Sequence, residues 1–316
     1  MNPISINNAA KASFFSRFYQ YQKERFPILG HGLLVAAFTF SAISYSRICR
    51  GMTDFVNWKI YGIGILTTVS LFLLVRIFDE FKDQEEDAQF RPDLPVQRGL
   101  ISLQELFAVG LAVFLGQILL NLFFFPKMLT LYALVIIWLC LMGKEFFIPE
   151  WLKANPFWYV SSHMLIIPLV DVYASGLDWL LEGATAPKGL LFFFAVSFMN
   201  GIVLEVGRKI RSPEKEKEGV NSYTQMLGMK RAIALWMGLI CFTCCLSVAA
   251  ATYAGYGLVA IGILGLVLLV CLVPAILFWR KPTEKFAQLI EKSSALWTII
   301  MYLALGGIPM LRSMLN

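Results

Sequence analysis

Charge is what this sequence has least of. Only 15% of its 316 residues are charged against 58% hydrophobic, and the mean hydropathy is +0.67. So little charge excludes a disordered chain and an ordinary cytosolic enzyme. Histidine is nearly absent, with 2 residues, and no Ser-His-Asp, Cys-His or metal-hydrolase spacing accompanies them. The cysteines (Cys49, Cys140, Cys241, Cys244, Cys245 and Cys271) fall within or at the ends of apolar runs. They lack the paired spacing that holds zinc and read as small buried hydrophobes, which excludes a secreted disulfide scaffold. Residues 1–26 lack the short apolar stretch and small-residue cleavage site of a signal peptide. Being polar, aromatic and basic, they are expected to form a cytoplasmic, interfacial lead-in.

What the chain has in abundance is long apolar runs. A helix needs roughly 20 residues to cross a hydrocarbon core of about 30 Å. About nine runs qualify, near 27–49, 58–78, 104–125, 128–147, 157–178, 187–207, 230–252, 256–279 and 288–311. The ten-residue alternation of barrel strands is missing. The expected fold is therefore an all-α integral membrane bundle, with 27–316 as a single transmembrane domain.

The net charge of +6 does not imply a nucleic-acid partner, because most basic residues lie in short loops between apolar runs. With the N-terminus inside, about 21 Lys and Arg fall on that side and only Arg47, Arg50, Lys59, Lys127, Lys188 and Arg312 on the other. The bias predicts a cytoplasmic N-terminus and a C-terminus on the opposite side. Two inside loops are long and densely charged, 79–102 after the second run and 208–230 after the sixth.

The first of these loops carries the most chemistry. R-I-F-D-E-F-K-D-Q-E-E-D, residues 76–87, places Asp79, Asp83 and Asp87 every fourth residue with Glu80 beside them. If the second helix continues this far, the three aspartates share one face. Like charges stacked in this way repel, and a bridging cation relieves them. Magnesium suits the donors, because it is commonly held by one or two carboxylates together with substrate phosphates.

D-E-F-K-D-Q-E-E-D resembles the first aspartate-rich motif of the UbiA superfamily of intramembrane prenyltransferases, usually N-D-x-x-D-x-x-x-D. The following R-P-D-L-P-V-Q-R-G-L-I-S, residues 91–102, resembles the stretch that often succeeds it, R-P-V-P-x-G-x-I-S. The nine runs and the two charged loops resemble that family too, across essentially the whole chain. The resemblance implies a UbiA-like bundle around a central cavity open near the cytoplasmic face, in the plasma (inner) membrane of a prokaryote.

Residue by residue, the resemblance implies Asp79, Glu80, Asp83 and Asp87 as catalytic carboxylates. Glu80, Asp83 and Asp87 would be magnesium ligands, and Asp79 stands where the family usually has Asn. Arg76 one turn earlier offsets that extra charge, and Arg98 stands at a basic loop position where a guanidinium can fork onto a diphosphate. The second family motif is altered. Residues 205–224 contain no aspartate, so Glu205 and Glu214 are the candidate metal carboxylates, and Arg208, Lys209 and Arg211 supply cationic charge where the family would use a second metal. G-V-N-S-Y, residues 219–223, resembles that motif's ending, while Lys215, Glu216, Lys217 and Glu218 read as a solvated run. Lys144 in G-K-E-F-F is a further candidate for the diphosphate clamp. His163 and Asp171, eight residues apart on the fifth run, are expected at the acceptor pocket, since ionisable groups at membrane depth mark functional sites.

The resemblance thus implies transfer of an isoprenyl group from an allylic isoprenyl diphosphate to an aromatic or other lipophilic acceptor, with Mg2+ as cofactor and membrane lipid as surroundings. Attack by the isoprenoid's own double bond would instead give a terpene cyclase. A third reading, a divalent-cation or anion transporter, would suit carboxylates at a cavity mouth.

Overall fold

The computed structural model describes residues 12–216 and 222–315. Helix α1 (Phe14–Arg25) opens with Ser13, whose hydroxyl caps the Ser16 N–H. Its aromatic residues recur at helical spacing, and Phe14, Phe18 and Tyr21 stack in succession at 5.9 Å between ring centroids. This stripe packs on Ile77, Ile101 and Leu106, which fastens the lead-in to the bundle.

The transmembrane helices follow: α2 (Ile28–Cys49), α3 (Trp58–Lys82), the short α4 (Gln84–Phe90), α5 (Leu103–Phe124) and α6 (Leu129–Gly143). After α7 (Pro149–Ala154), the fifth span is built from α8 (Pro156–Met164) and α9 (Ile166–Trp179). Next come α10 (Leu190–Arg208), α11 (Tyr223–Leu227), α12 (Met229–Tyr253), α13 (Gly257–Arg280), α14 (Glu284–Tyr302) and α15 (Ile308–Leu315). Among the described residues nine helical spans are long and apolar enough to cross a membrane, at the places the apolar runs predict. Local polar groups set their ends. Asn57 accepts from the Lys59 N–H at the start of α3, and Ser102 with Glu105 forms a reciprocal capping box on α5.

The first, fifth, sixth and ninth spans are buried over half or more of their length and form the centre, whereas the third and eighth are mostly exposed, as lipid-facing helices are. Small residues allow the central approach: a side chain on Gly306, in the π-helical turn Leu303–Gly307, would collide with the Ser41 backbone of α2. At the far end from the acidic segment, α2 and α9 are tied by charge. Arg47 and Arg50 both donate to the fully buried Asp178, at 3.1 and 2.7 Å, and both also reach Glu182 at 2.7 Å.

Two expectations are corrected. The second helix does not continue unbroken to Asp87: α3 ends at Lys82, Asp83 leaves the helical conformation (φ −93°, ψ 9°), and α4 begins at Gln84. Asp87 is buried, whereas the side chains of Asp79 and Asp83 are partly exposed. The fourth span also ends early, at Gly143, and Glu145, Phe146 and Phe147 follow with φ of 46°, 54° and 62°. Three consecutive non-glycine residues in the left-handed region form a strained turn. It places the Phe146 ring against Trp138 and His163.

Candidate functional site

The charged end of the bundle brings together the ends of α3, α8 and α10. On α3, Asp79 and Asp83 lie one turn apart, with side chains 29% and 35% exposed. Each has a cation nearby but not in full hydrogen-bond contact: Arg76 is 3.6 Å from Asp79 and Lys82 is 3.6 Å from Asp83. Their carboxylate oxygens therefore remain open. Lys82 points across to α8, where its Nζ donates to the Tyr159 hydroxyl at 3.0 Å.

His163 stacks on Tyr159 at 4.2 Å between ring centroids, and its Nδ1 lies 2.8 Å from the Tyr159 carbonyl oxygen. A carbonyl only accepts, so Nδ1 carries the proton in that hydrogen bond. In the neutral ring Nε2 then holds the lone pair, and it is buried without a hydrogen-bond partner. Lys82, Asp83 and Glu205 all lie within electrostatic range of this ring.

Helix α10 supplies the third wall. Glu205 is buried and accepts from Arg208 and Lys209 at the end of the same helix, at 2.7 Å in each case. Arg208 is more than half exposed and lies in electrostatic range of Asp79 on α3 and Glu291 on α14. Arg76 and Lys82 thus lie beside the open Asp79–Asp83 pair, and Arg208 of α10 lies within electrostatic range of Asp79.

Two further carboxylates of the acidic segment, Glu80 and Asp87, are partnered elsewhere. Glu80 is fully buried against α1, accepting from Arg25 Nε at 2.6 Å and from the Tyr21 hydroxyl at 3.4 Å, with Arg76 at 3.3 Å. Asp87 is buried between Arg91 at 3.2 Å and Arg25 at 3.8 Å. Burial pushes the Asp87 carboxyl above its ordinary range, and the two guanidinium groups oppose that effect. The expected ligand trio of Glu80, Asp83 and Asp87 is therefore not brought together: Glu80 and Asp87 are buried with Arg25, whereas Asp83 lies beside Lys82 with its side chain partly exposed. Among the described residues no three His, Cys, Asp or Glu side chains gather to hold a metal ion. What fits magnesium is the Asp79–Asp83 pair, since this ion accepts one or two carboxylates and completes its shell with water and phosphate oxygens.

The remaining expected residues divide. Arg98 points away and holds Glu24 of α1 through two hydrogen bonds, at 2.9 and 2.7 Å. Lys144 is exposed at the end of α6. Arg211 is partly buried, and its backbone N–H donates to Thr224. Glu214 is exposed on the turn Pro213–Lys215, away from Glu205. Lys217, Glu218 and the Gly219, Val220 and Asn221 of G-V-N-S-Y lie outside the described residues. Asp171 is not beside His163: two turns deeper on α9, it is fully buried next to Ser197 and near Tyr302, without a hydrogen bond of good geometry.

Sequence reasoning missed Lys82, Tyr159 and Arg25. Lys82 lies inside the acidic motif and reads there as a neutralising charge. Arg25 follows Tyr21 by four residues, so the aromatic periodicity of α1 was a usable signal for the face it occupies.

The fold has known counterparts. The structure of a UbiA homologue from Aeropyrum pernix K1 superposes with a TM-score of 0.63 at 16% identity, covering 90% of this chain and 98% of that one. The structure of a digeranylgeranylglyceryl phosphate synthase superposes with a TM-score of 0.56 at 15% identity, covering 95% of this chain and 100% of that one. No curated protein matches by sequence. The family model described as the UbiA prenyltransferase family matches residues 39–300, a stretch that runs from within the first span into the ninth and includes the acidic segment and the altered second motif. By that match this chain belongs to the UbiA prenyltransferase family.

Proposed function

We propose that the protein is a magnesium-dependent intramembrane prenyltransferase that moves an isoprenyl group from an allylic isoprenyl diphosphate to an aromatic or other lipophilic acceptor. The observation that carries this reading is the open Asp79–Asp83 pair facing Lys82 and Arg208 at the charged end of an apolar bundle. Asp79 and Asp83 would hold the ion, which when bound draws off negative charge developing on a departing diphosphate. Lys82, Arg76, Arg208 and Lys209 supply donors for the diphosphate oxygens. Arg98 is left out of this assignment because Glu24 of α1 takes up its guanidinium, and Lys144, Arg211 and Glu214 because no hydrogen bond or ion pair among the described residues links them to Asp79 or Asp83.

The chemistry asks for little more from the protein. The allylic carbon–oxygen bond breaks with its electron pair leaving on the diphosphate, the acceptor's nucleophile bonds to the allylic carbon, and the acceptor loses a proton. His163, held in one tautomer by the Tyr159 carbonyl, carries a free lone pair for that proton, and the Tyr159 and Phe146 rings beside it offer π-faces to a cation. Asp171 is assigned to the deeper end of the acceptor pocket. The positive-inside bias supports a cytoplasmic N-terminus, and nine spans would put the C-terminus on the opposite side of a prokaryotic plasma membrane.

The test is incubation of the purified protein and Mg2+ with geranyl, farnesyl and geranylgeranyl diphosphates, with and without a membrane lipid extract. Diphosphate release that requires the extract, with a mass gain on one of its components, is expected. Release with a hydrocarbon product and no acceptor would replace the transferase by a cyclase, and no release from any substrate would overturn both.

A further inference from the structure

The acidic segment carries its own counter-charges. Asp79, Glu80, Asp83 and Asp87 are each within 4 Å of a cation, and the cations involved are Arg76, Lys82, Arg91 and Arg25. Arg76 and Lys82 belong to the segment itself, and Arg91 follows it within four residues. The fourth, Arg25, comes from α1, 55 residues earlier, and it alone bridges the two carboxylates that face away from the open pair, Glu80 and Asp87.

Arg25 is not a loose surface charge. Its side chain is 14% exposed, and those of its partners are 0% and 2% exposed. Buried carboxylates require a partner, and a guanidinium is a cation that is never released by deprotonation. Helix α1 is held in place independently of Arg25 by its aromatic stripe, by Arg17 donating to Glu105 at 2.5 and 3.0 Å, and by Glu24 accepting from Arg98. The bundle thus receives a positive charge at a fixed position from an element outside the membrane spans.

We infer that Arg25 is the resident cation of the acidic segment and a positioning residue for the site. It holds Glu80 and Asp87 turned away and leaves Asp79 and Asp83 as the carboxylates open to a divalent ion. By offsetting Glu80 and Asp87 beside the open pair, Arg25 weakens the pull of the segment on a divalent ion, and a diphosphate, which brings oxygen ligands of its own, tightens the ion's binding. This rests on the prenyltransferase reading for the identity of the anion, but the charge balance itself is independent of turnover.

The test is Mn2+ binding by the full-length detergent-solubilised protein, followed through the free-ion paramagnetic resonance signal, with and without inorganic diphosphate. In the wild type Mn2+ alone should bind weakly, and diphosphate should tighten it strongly. Arg25→Gln should bind Mn2+ alone about tenfold more tightly, because the carboxylates beside the open pair then lose a compensating charge, and Arg25→Lys should return the affinity toward the wild type. A merely structural role for Arg25 would lower the melting temperature and leave Mn2+ affinity unmoved; that outcome, or tight Mn2+ binding by the wild type without diphosphate, overturns the inference. If Arg25→Gln does not fold, the charge-neutral double variant Arg25→Gln/Glu80→Gln decides. It should keep diphosphate-dependent Mn2+ binding, and a loss as large as that of Asp83→Asn would mean that Glu80 itself holds the ion. Absence of any diphosphate effect in the wild type, with the Arg25→Gln gain intact, would overturn the functional reading and the joint-binding step while leaving the charge-balancing role standing.

Discussion

At the scale of single residues, neighbours in sequence have opposite roles. Asp79 and Asp83 are open at the charged end, whereas Glu80 is sealed against Arg25, Arg76 and Tyr21. Asp79→Ala and Asp83→Asn should each slow diphosphate release by about a hundredfold, the scale on which electrostatic stabilisation of a leaving group is lost, while the thermal melting of both stays close to the wild type. Glu80→Gln should show the reverse pattern. It strands a buried guanidinium and should cost about 3 kcal/mol of stability, with turnover at permissive temperature within an order of magnitude of the wild type. Parallel melting curves and single-turnover rates on one allylic diphosphate check all three. A Glu80→Gln rate as low as that of Asp83→Asn would show that the sealed carboxylate takes part in the chemistry. The residue types and spacing of this segment were legible in the sequence, but not the side to which each carboxylate turns, because that depends on the helix ending at Lys82 and on a partner 55 residues away.

Among the elements, the docked helix α1 and the left-handed turn after α6 are the most informative. Helix α1 is held partly by Glu24, which the Arg98 guanidinium beside it keeps below the ordinary carboxylate value of 4.5. A depressed native value means that this contribution is complete above the ordinary value and disappears as pH falls through the native one. The protection factor of the backbone amides over Phe14–Arg25, exchange relative to the unfolded chain at the same pH, should therefore be high at neutral pH and fall as the pH is lowered below 4.5. Protection independent of acid would mean that the aromatic stripe alone holds the helix. The turn Glu145–Phe147 stores strain in three residues with positive φ. Phe147 is 73% exposed, so Phe147→Gly sacrifices little packing while relieving one left-handed position. It should raise stability by up to about 1 kcal/mol in a thermal melt with turnover unchanged; a lower melting temperature would show that the exposed ring is anchored by lipid. Nothing in the run of apolar residues 128–147 signalled this turn, since glycine is the usual residue there and the chain uses Glu and Phe.

Over the whole molecule, the two ends of the bundle are built on different principles. One end leaves carboxylates and cations open to each other, and the other joins Arg47, Arg50 and Glu182 into a network around the fully buried Asp178, between the first and fifth spans. Arg47→Met should uncouple those spans and cost about 3 kcal/mol, because Asp178 then loses one of its two buried guanidinium partners. The measurement is a melting curve, with turnover at low temperature as control; a variant as stable as the wild type would mean that Arg50 suffices. The sequence by itself determined the nine spans, the bias of basic residues to one side and the presence of an acidic segment at the end of the second span. Each of these depends on properties local to a stretch of chain: the length of apolar residues that a bilayer demands, the charge of a loop, the spacing of carboxylates. Only the tertiary structure decided which carboxylates face the site, that α1 supplies a cation to them, and that Lys82 and Tyr159 meet between α3 and α8. Those outcomes depend on where helices end and on which distant side chains can neutralise a buried charge, and in a bundle of apolar helices the local pattern is silent on both.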